Sequence, residues 1–391
     1  MSRKFNLKIP KKPFLKRQTY DIPEKYLTAY KTAGIDNADE QIMLFHITQF
    51  GGFRVKKMPS DLELGPNFID TWCKHKSESG YSHFKASPRF LHTFGGIEVE
   101  PLQRRWNLDA LNQDDMEECG FTKQEIQDSY TFLDELNKFY SALKINLSSP
   151  RSGITAEDRV YLSGIHGRPF LVKKPHAGGR FFHPGFSYQR MSSSLRPLIT
   201  INGERTCEFD LSAATLQFLN ICFERETTES LQESILHNGD PYQYFLSELN
   251  NPNFLIEYEE RPTERDDIKT IVYTMIFSPV NRQRSNVNRR LRLMGRNYDH
   301  PTLVSYFPEF FNALTALCNG KNVPLHMPIF REESRFTQAV LQKGCLEERL
   351  PILPLHDSFI TTETNSKRLG EILDSVSEGL YGRRLTYKQK Y

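Results

Sequence analysis

Pro351-Ile352-Leu353-Pro354-Leu355-His356-Asp357-Ser358-Phe359-Ile360 sets one acid between two apolar runs. Apolar residues on both sides of a His-Asp pair predict two short strands meeting at a tight turn. A carboxylate at such a turn projects from a sheet into open space, where a metal ion can reach it. A counterpart lies far upstream, in Cys207-Glu208-Phe209-Asp210-Leu211-Ser212. Its period of two points Cys207, Phe209 and Leu211 one way and Glu208 and Asp210 the other. Two strand-borne aspartates, Asp210 and Asp357, are what a two-metal phosphoryl-transfer site needs.

A third element lies between them, from Arg265 to Phe277. Ile268, Ile271, Val272, Met275 and Ile276 repeat at three and four residues, which predicts a helix with one buried face. Arg265, Lys269, Tyr273 and Phe277 are spaced by four. Each step of four advances roughly 40° past a full turn, so these side chains form a slowly drifting stripe. Two cations precede two aromatics, the polarity of a nucleotide with its triphosphate, sugar and base. The helix N-terminus adds partial positive charge on the phosphate side. A Lys/Arg stripe is in other proteins simply a solvated face, and Tyr273 and Phe277 also fit a core.

In this order the three elements resemble family A DNA polymerases and their relatives, the phage-type single-subunit RNA polymerases. Asp210-Leu211-Ser212-Ala213-Ala214-Thr215-Leu216 is similar to the first palm motif, Arg265 to Phe277 to the fingers helix, and His356-Asp357-Ser358 to the last palm motif. Gly178-Gly179-Arg180 and Tyr188-Gln189 resemble the segment that grips the primer–template minor groove, with an ordinary loop as the lesser alternative. The resemblance runs from about Gly178 to Phe359, less than half of the chain.

The resemblance implies an α+β fold: a right-hand polymerase with an antiparallel palm sheet, helical fingers and thumb, and a small N-terminal domain. Asp210, Asp357 and the carbonyl of Leu211 would hold two Mg²⁺ or Mn²⁺ ions, and Arg265 and Lys269 the phosphates. Tyr273, Phe277 and Thr215 would shape the sugar and base pocket, with Arg180, Gln189 and His356 near the primer terminus. The implied activity is template-directed nucleotidyl transfer by a DNA polymerase or primase-polymerase. The implied partners are a single-stranded or primed DNA template, NTP or dNTP, and a helicase or small accessory protein. Minimal architecture points to a phage, plasmid or other mobile genetic element. A promoter-dependent RNA polymerase and a non-catalytic nucleic-acid-binding protein on a degenerate polymerase fold are the alternatives.

Departures from the family pattern are informative. Thr215 stands where DNA-synthesising members carry a glutamate that excludes a ribose 2′-hydroxyl, and a threonine can hydrogen-bond that hydroxyl. The fingers helix ends in Phe277-Ser278 rather than Tyr-Gly. Ser358 replaces the carboxylate that follows the last aspartate in DNA polymerases. Weak discrimination between ribose and deoxyribose is therefore expected, at a site resting on two acidic ligands.

With 391 residues, 38% hydrophobic and 12% aromatic, the chain can bury cores for two or three domains. Its six cysteines show no C-x-x-C pair and no zinc-like histidine spacing, as expected of a reduced protein in the cytoplasm of a bacterium or phage-infected cell. No apolar stretch is long enough to span a membrane, and none reads as a secretory leader. Net charge is only +3, but the cations cluster. Residues 1–18 carry Arg3, Lys4, Lys8, Lys11, Lys12, Lys16 and Arg17 with no acid, and read as an extended tail that meets phosphate or merely aids solubility. Arg282, Arg284, Arg289, Arg290, Arg292 and Arg296 form a second run with no acid after the fingers helix, read as contacting template phosphates in preference to a merely solvated surface.

The expected segments are a basic tail over 1–18, an N-terminal domain over 19–105 and a thumb-like region over 106–153. Palm follows over 154–260, fingers over 261–325 and returning palm over 326–391. Helices are expected over most of Asp21–Phe50, and over Thr122–Ile145, Tyr298–Leu317, Glu332–Gln342 and Ser366–Leu380. Ser148–Gly153 reads as a hinge and Tyr381–Tyr391 as a polar tail. No acidic pattern in the first hundred residues points to a proofreading exonuclease.

Overall fold

The computed structural model describes residues 121–148, 171–174, 178–183, 188–191, 193–227, 242–278, 280–318 and 326–391, with short pieces of the first 120. Those pieces are strands β1 (Arg3–Leu7), β2 (Gln18–Ile22), β3 (Gly52–Val55), β4 (Ile69–Cys73) and β5 (Ser82–Ala86), together with Thr28 and Lys31. β1 pairs antiparallel with β2, and β5 lies between β3 and β4. The stretch read as an extended basic tail thus contributes a paired strand. The helix expected over Asp21–Phe50 begins inside β2 and otherwise lies almost wholly outside the described residues, as does the hinge.

Helix α1 (Lys123–Tyr140) starts at a capping box: the Thr122 hydroxyl accepts from the Glu125 amide, and the Glu125 carboxylate accepts from the Thr122 amide at 2.6 Å. Its inner face is Ile126, Tyr130, Leu133, Leu136 and Tyr140. The helix stops five residues short of the expected Ile145, because Ile145–Leu147 is instead strand β6. Ile145 is buried there, and the Asn202 carboxamide oxygen accepts from the Lys144 amide at 2.8 Å. Asn202 and Gly203 both take positive φ, which turns β9 (Ile199–Ile201) tightly into β10 (Glu204–Leu211). Between β6 and β9 come β7 (Val172–Lys174) and β8 (Arg180–Phe182), which pair with each other.

The central sheet is antiparallel, in the order β11 (Leu353–Leu355), β12 (Ser358–Thr362), β10, β9, β6. β13 (Tyr387–Lys390) pairs along the second half of β10, opposite β12. The segment read as a polar tail therefore completes the sheet. Tyr387 packs on Phe209 at 5.6 Å between ring centroids and donates to Gly370 and Asp374, while Leu385 is buried. The lysines that make β13 look like a tail lie on a face where buried and half-buried acids await them.

Helices α2 (Ala214–Thr227), α3 (Tyr242–Leu249), α4 (Pro252–Glu257), α5 (Arg265–Phe277), α6 (Val280–Leu293), α7 (His300–Tyr306) and α8 (Pro308–Cys318) follow β10. The single helix expected from Tyr298 to Leu317 is thus two, broken before Pro308, whose ring cannot continue the preceding turn. Helix α9 (His326–Leu341) runs into a π-helical turn, Gln342–Glu347, and α10 (Ser366–Tyr381) precedes β13. Phe336 on α9 joins Phe218 on α2 to Phe359 on β12, so helices and sheet share one apolar core. A second aromatic knot, Phe245 with Phe307 and Phe310, ties α3 to α7 and α8. The architecture is α+β. Among the described residues no helix is long and apolar enough to cross a membrane.

Arg296 is a correction to the basic run. Its side chain has no exposed surface and is clamped between Glu260 and Asp267, while it also donates to the Arg261 carbonyl. It follows the left-handed Gly295, which turns the chain inward after α6. Arg282, Arg284, Arg289, Arg290 and Arg292 remain exposed.

Candidate functional site

β10 and β12 place the two aspartates side by side. Asp210 pairs in register with Ser358, and the Leu211 amide donates to the Asp357 carbonyl at 3.0 Å. The His356-Asp357 turn between β11 and β12 needs a left-handed residue, and His356 takes φ 56° there. Its ring packs edge-on against Phe182. Burial, then the charges of Arg180 and Arg196, push the His356 imidazole down to about 4, so it is neutral at pH 7.

An open cleft of about 530 Å³ faces this turn, lined by Arg180, Thr215, Thr270, Tyr273, Thr274, Phe277, Arg290, His356 and Asp357. Helix α5 has the bounds and the buried face that the sequence predicts. Tyr273 and Phe277 meet edge-on at 5.6 Å, and Phe277 stacks on His326 from the start of α9. Lys269 and Arg265 are exposed and do not line the cleft, but the Lys269 charge reaches Asp357 and favours its ionised form. The Arg265 guanidinium lies 4.9 Å from the Tyr242 ring centre. Thr215 is buried at the start of α2, one turn beyond Asp210. Of the exposed arginines on α6, Arg290 lines the cleft.

Arg180 reaches the cleft because Gly178 allows it. Gly178 has φ +66°, and a Cβ there would collide with Phe330 and the backbone of α9. Arg180 then lies over the Phe330 ring and pairs with the buried carboxylate of Glu333. Burial, with a smaller push from Asp357, raises Glu333 to about 7 despite the guanidinium. Gln189 is committed to backbone: its carboxamide oxygen accepts from His183, and its nitrogen donates to Pro354 and Phe181. It braces the strand that leads into the Asp357 turn and is itself buried.

The two carboxylates are close enough for one to feel the charge of the other. Burial, and then the Asp210 charge, push the Asp357 carboxyl above its ordinary value, although Arg180 and Lys269 pull the other way. Asp210 has found a cation, the Lys390 ammonium at 2.8 Å. This donor set fits Mg²⁺ or Mn²⁺, which take one or two protein carboxylates and fill the remaining positions with substrate phosphates and water. No cluster of three or more His, Cys, Asp or Glu suited to a metal occurs among the described residues.

Three residues at the site were not assigned from sequence. Glu208 shares a strand face with Asp210, a pattern visible in the alternation, but its near-complete burial is not. Lys390 betrays itself only by alternating with Lys388 across Tyr387-Lys388-Gln389-Lys390. Glu333 has no local signal, since its partner is 153 residues away.

No family model matches this chain, and no curated protein matches it. Among solved structures it is similar to the POL domain of Pol1 from M. smegmatis, in complex with DNA primer-template and dNTP. The identity is 14% and the TM-score 0.40, over 78% of this chain and 60% of that one. The chain thus spans less than two thirds of the length of that POL domain.

Proposed function

We propose that this chain catalyses template-directed nucleotidyl transfer, as a DNA polymerase or primase-polymerase of the family A type. The observation that carries the reading is that three distant segments converge: Asp210 lies beside Asp357 on adjoining strands, and Asp357 lines one cleft with Tyr273 and Phe277 of α5. In this reading residues 154–260 and 326–391 are palm, 261–325 fingers and 106–153 thumb.

Asp210 and Asp357, with the Leu211 carbonyl, would hold two Mg²⁺ or Mn²⁺ ions. Bound there, the metals would supply a more acidic attacking hydroxyl and charge neutralisation for the triphosphate and the leaving pyrophosphate. Lys269 and Arg265, on the first turns of α5, bind the phosphates, helped by the positive end of the helix. Tyr273 and Phe277 pack against base and sugar, and Thr215 offers a small polar wall to the 2′-position. Arg180, held by Glu333, and the neutral His356 face the primer end. Gln189 supports that region through its backbone bonds. The exposed arginines of α6 carry template phosphates, and Arg290 links that surface to the cleft.

The test is extension of single-stranded DNA templates, with and without primer, offered NTPs or dNTPs with Mg²⁺ or Mn²⁺. Metal-dependent, template-directed products are expected from both sugars. One observation favours a second reading: Asp210 already has an ion-pair partner in Lys390. A non-catalytic nucleic-acid-binding protein would tolerate that pair, and it would bind template in this assay and yield no product.

A further inference from the structure

Asp210 is 33% exposed at its side chain, lies near the end of β10, and is paired with Lys390 from the neighbouring strand. Lys390 lies directly across from Glu208 in the β10–β13 register, and reaches diagonally to Asp210. Its ammonium stands 2.8 Å from the Asp210 carboxylate and 3.3 Å from that of Glu208. Glu208 does not depend on it alone: Arg196 and the Tyr391 hydroxyl also reach that buried carboxylate. The shorter contact is made to the acid that needs no buried counter-ion.

We propose that the Lys390 ammonium occupies, on Asp210, the place of a divalent cation, and so sets the cation concentration at which the site loads. The proposal rests on the reading of Asp210 and Asp357 as metal-holding carboxylates. Cation binding then exchanges one counter-ion for another: the ammonium leaves the Asp210 oxygen and keeps Glu208 as its partner. The backbone pairing of β13 with β10 anchors the lysine close by, so it competes at high effective concentration. Lys388 sits directly opposite Asp210 on the same face, yet makes no ion pair among the described residues. It serves as an internal control for general positive charge.

The experiment titrates the full chain with Mn²⁺ alone, reading free Mn²⁺ by electron paramagnetic resonance, so that turnover is not needed. Lys390→Met is expected to tighten Mn²⁺ binding about two- to fivefold, the range open to removal of a partly exposed competing ion pair. Lys390→Arg keeps the cation and should bind like the wild type, and Lys388→Met should change affinity by less than Lys390→Met. Asp210→Asn, made in the wild type and in Lys390→Met, should weaken binding in both. Unchanged or weaker Mn²⁺ binding in Lys390→Met, with Asp210→Asn still harmful, overturns the competition and leaves the metal site standing. An equal gain from Lys388→Met also overturns it, because bulk charge would then explain the effect. If Asp210→Asn is without effect in both backgrounds, the carboxylate reading fails and takes this proposal with it. Melting temperatures of all variants, expected to match the wild type because the β13 ladder is backbone, identify any loss that comes from misfolding.

Discussion

Replacing Arg296 by methionine should destabilise the protein by about 3–4 kcal/mol, although Arg296 belongs by sequence to a run of solvent-facing arginines. The magnitude follows from the partners. The Arg296 side chain is wholly buried, and Glu260 is 2% exposed, while Asp267 is 27% exposed and can rehydrate. Breaking a buried pair by removing one partner costs roughly 3–5 kcal/mol because the other charge is stranded. Here the stranded charge is mainly Glu260, which keeps the Asn297 amide as a donor, so the lower half of the range applies. For a domain of 150–250 residues, about 2–4 °C of melting temperature accompanies each kcal/mol, which gives a fall of roughly 6–16 °C. Arg289→Met, on the exposed face of α6, should shift it by no more than about 2 °C. The double variant Arg296→Met with Glu260→Met should recover most of the loss, since replacing both ions with apolar side chains removes the stranded charge. Thermal melts of the four proteins decide the matter. A fall below about 2 °C for Arg296→Met, or a double variant no better than the single, would refute the buried clamp.

Charge reversal at both Arg289 and Arg290 should weaken template affinity about equally across sequences and flatten its dependence on salt, because phosphate contacts release counter-ions; an unchanged slope would mark α6 as a merely solvated face. Thr215→Glu should raise the preference for dNTP over NTP on one template, and Phe277→Tyr should alter it with little change in template binding. A wild-type preference above about 10⁴ would show that another residue supplies the gate. Glu333→Gln keeps a hydrogen-bonding partner for Arg180 but cannot titrate. Because burial raises the native Glu333 to about 7, its contribution is present below about 4.5 and is lost as pH rises through about 7. The stability of the variant relative to wild type should therefore climb between those pH values, by up to about 3 kcal/mol, and a flat difference would contradict the shifted carboxyl.

Helix α5 was legible to its last residue because burial, charge stripe and length all agree in one continuous segment. The β11–β12 turn was legible for a similar reason, with apolar strands meeting at a His-Asp pair. What the sequence concealed depends on contacts between distant residues. Arg296 looks like its neighbours until the left-handed Gly295 turns it toward Glu260 and Asp267. β13 looks like a polar tail because its lysines complement acids on β10 rather than bury apolar groups. α1 ends at Tyr140 because Ile145 gains a sheet edge, which no helical periodicity can reveal. Gln189 resembles a ligand-facing residue, yet its amide is used by three backbone groups.

The central claim is that Asp210 and Asp357 act together in nucleotidyl transfer. Single-turnover incorporation of one matched nucleotide on a primed template, with saturating Mg²⁺, tests it most directly in Asp210→Asn and Asp357→Asn. Each substitution removes a ligand worth several kcal/mol in the transition state, so the rate should fall by at least about 10²-fold. Template affinity and melting temperature should stay near wild type, since each change keeps the side chain's size and neither residue belongs to the apolar core. Near-wild-type incorporation by either variant would contradict the account.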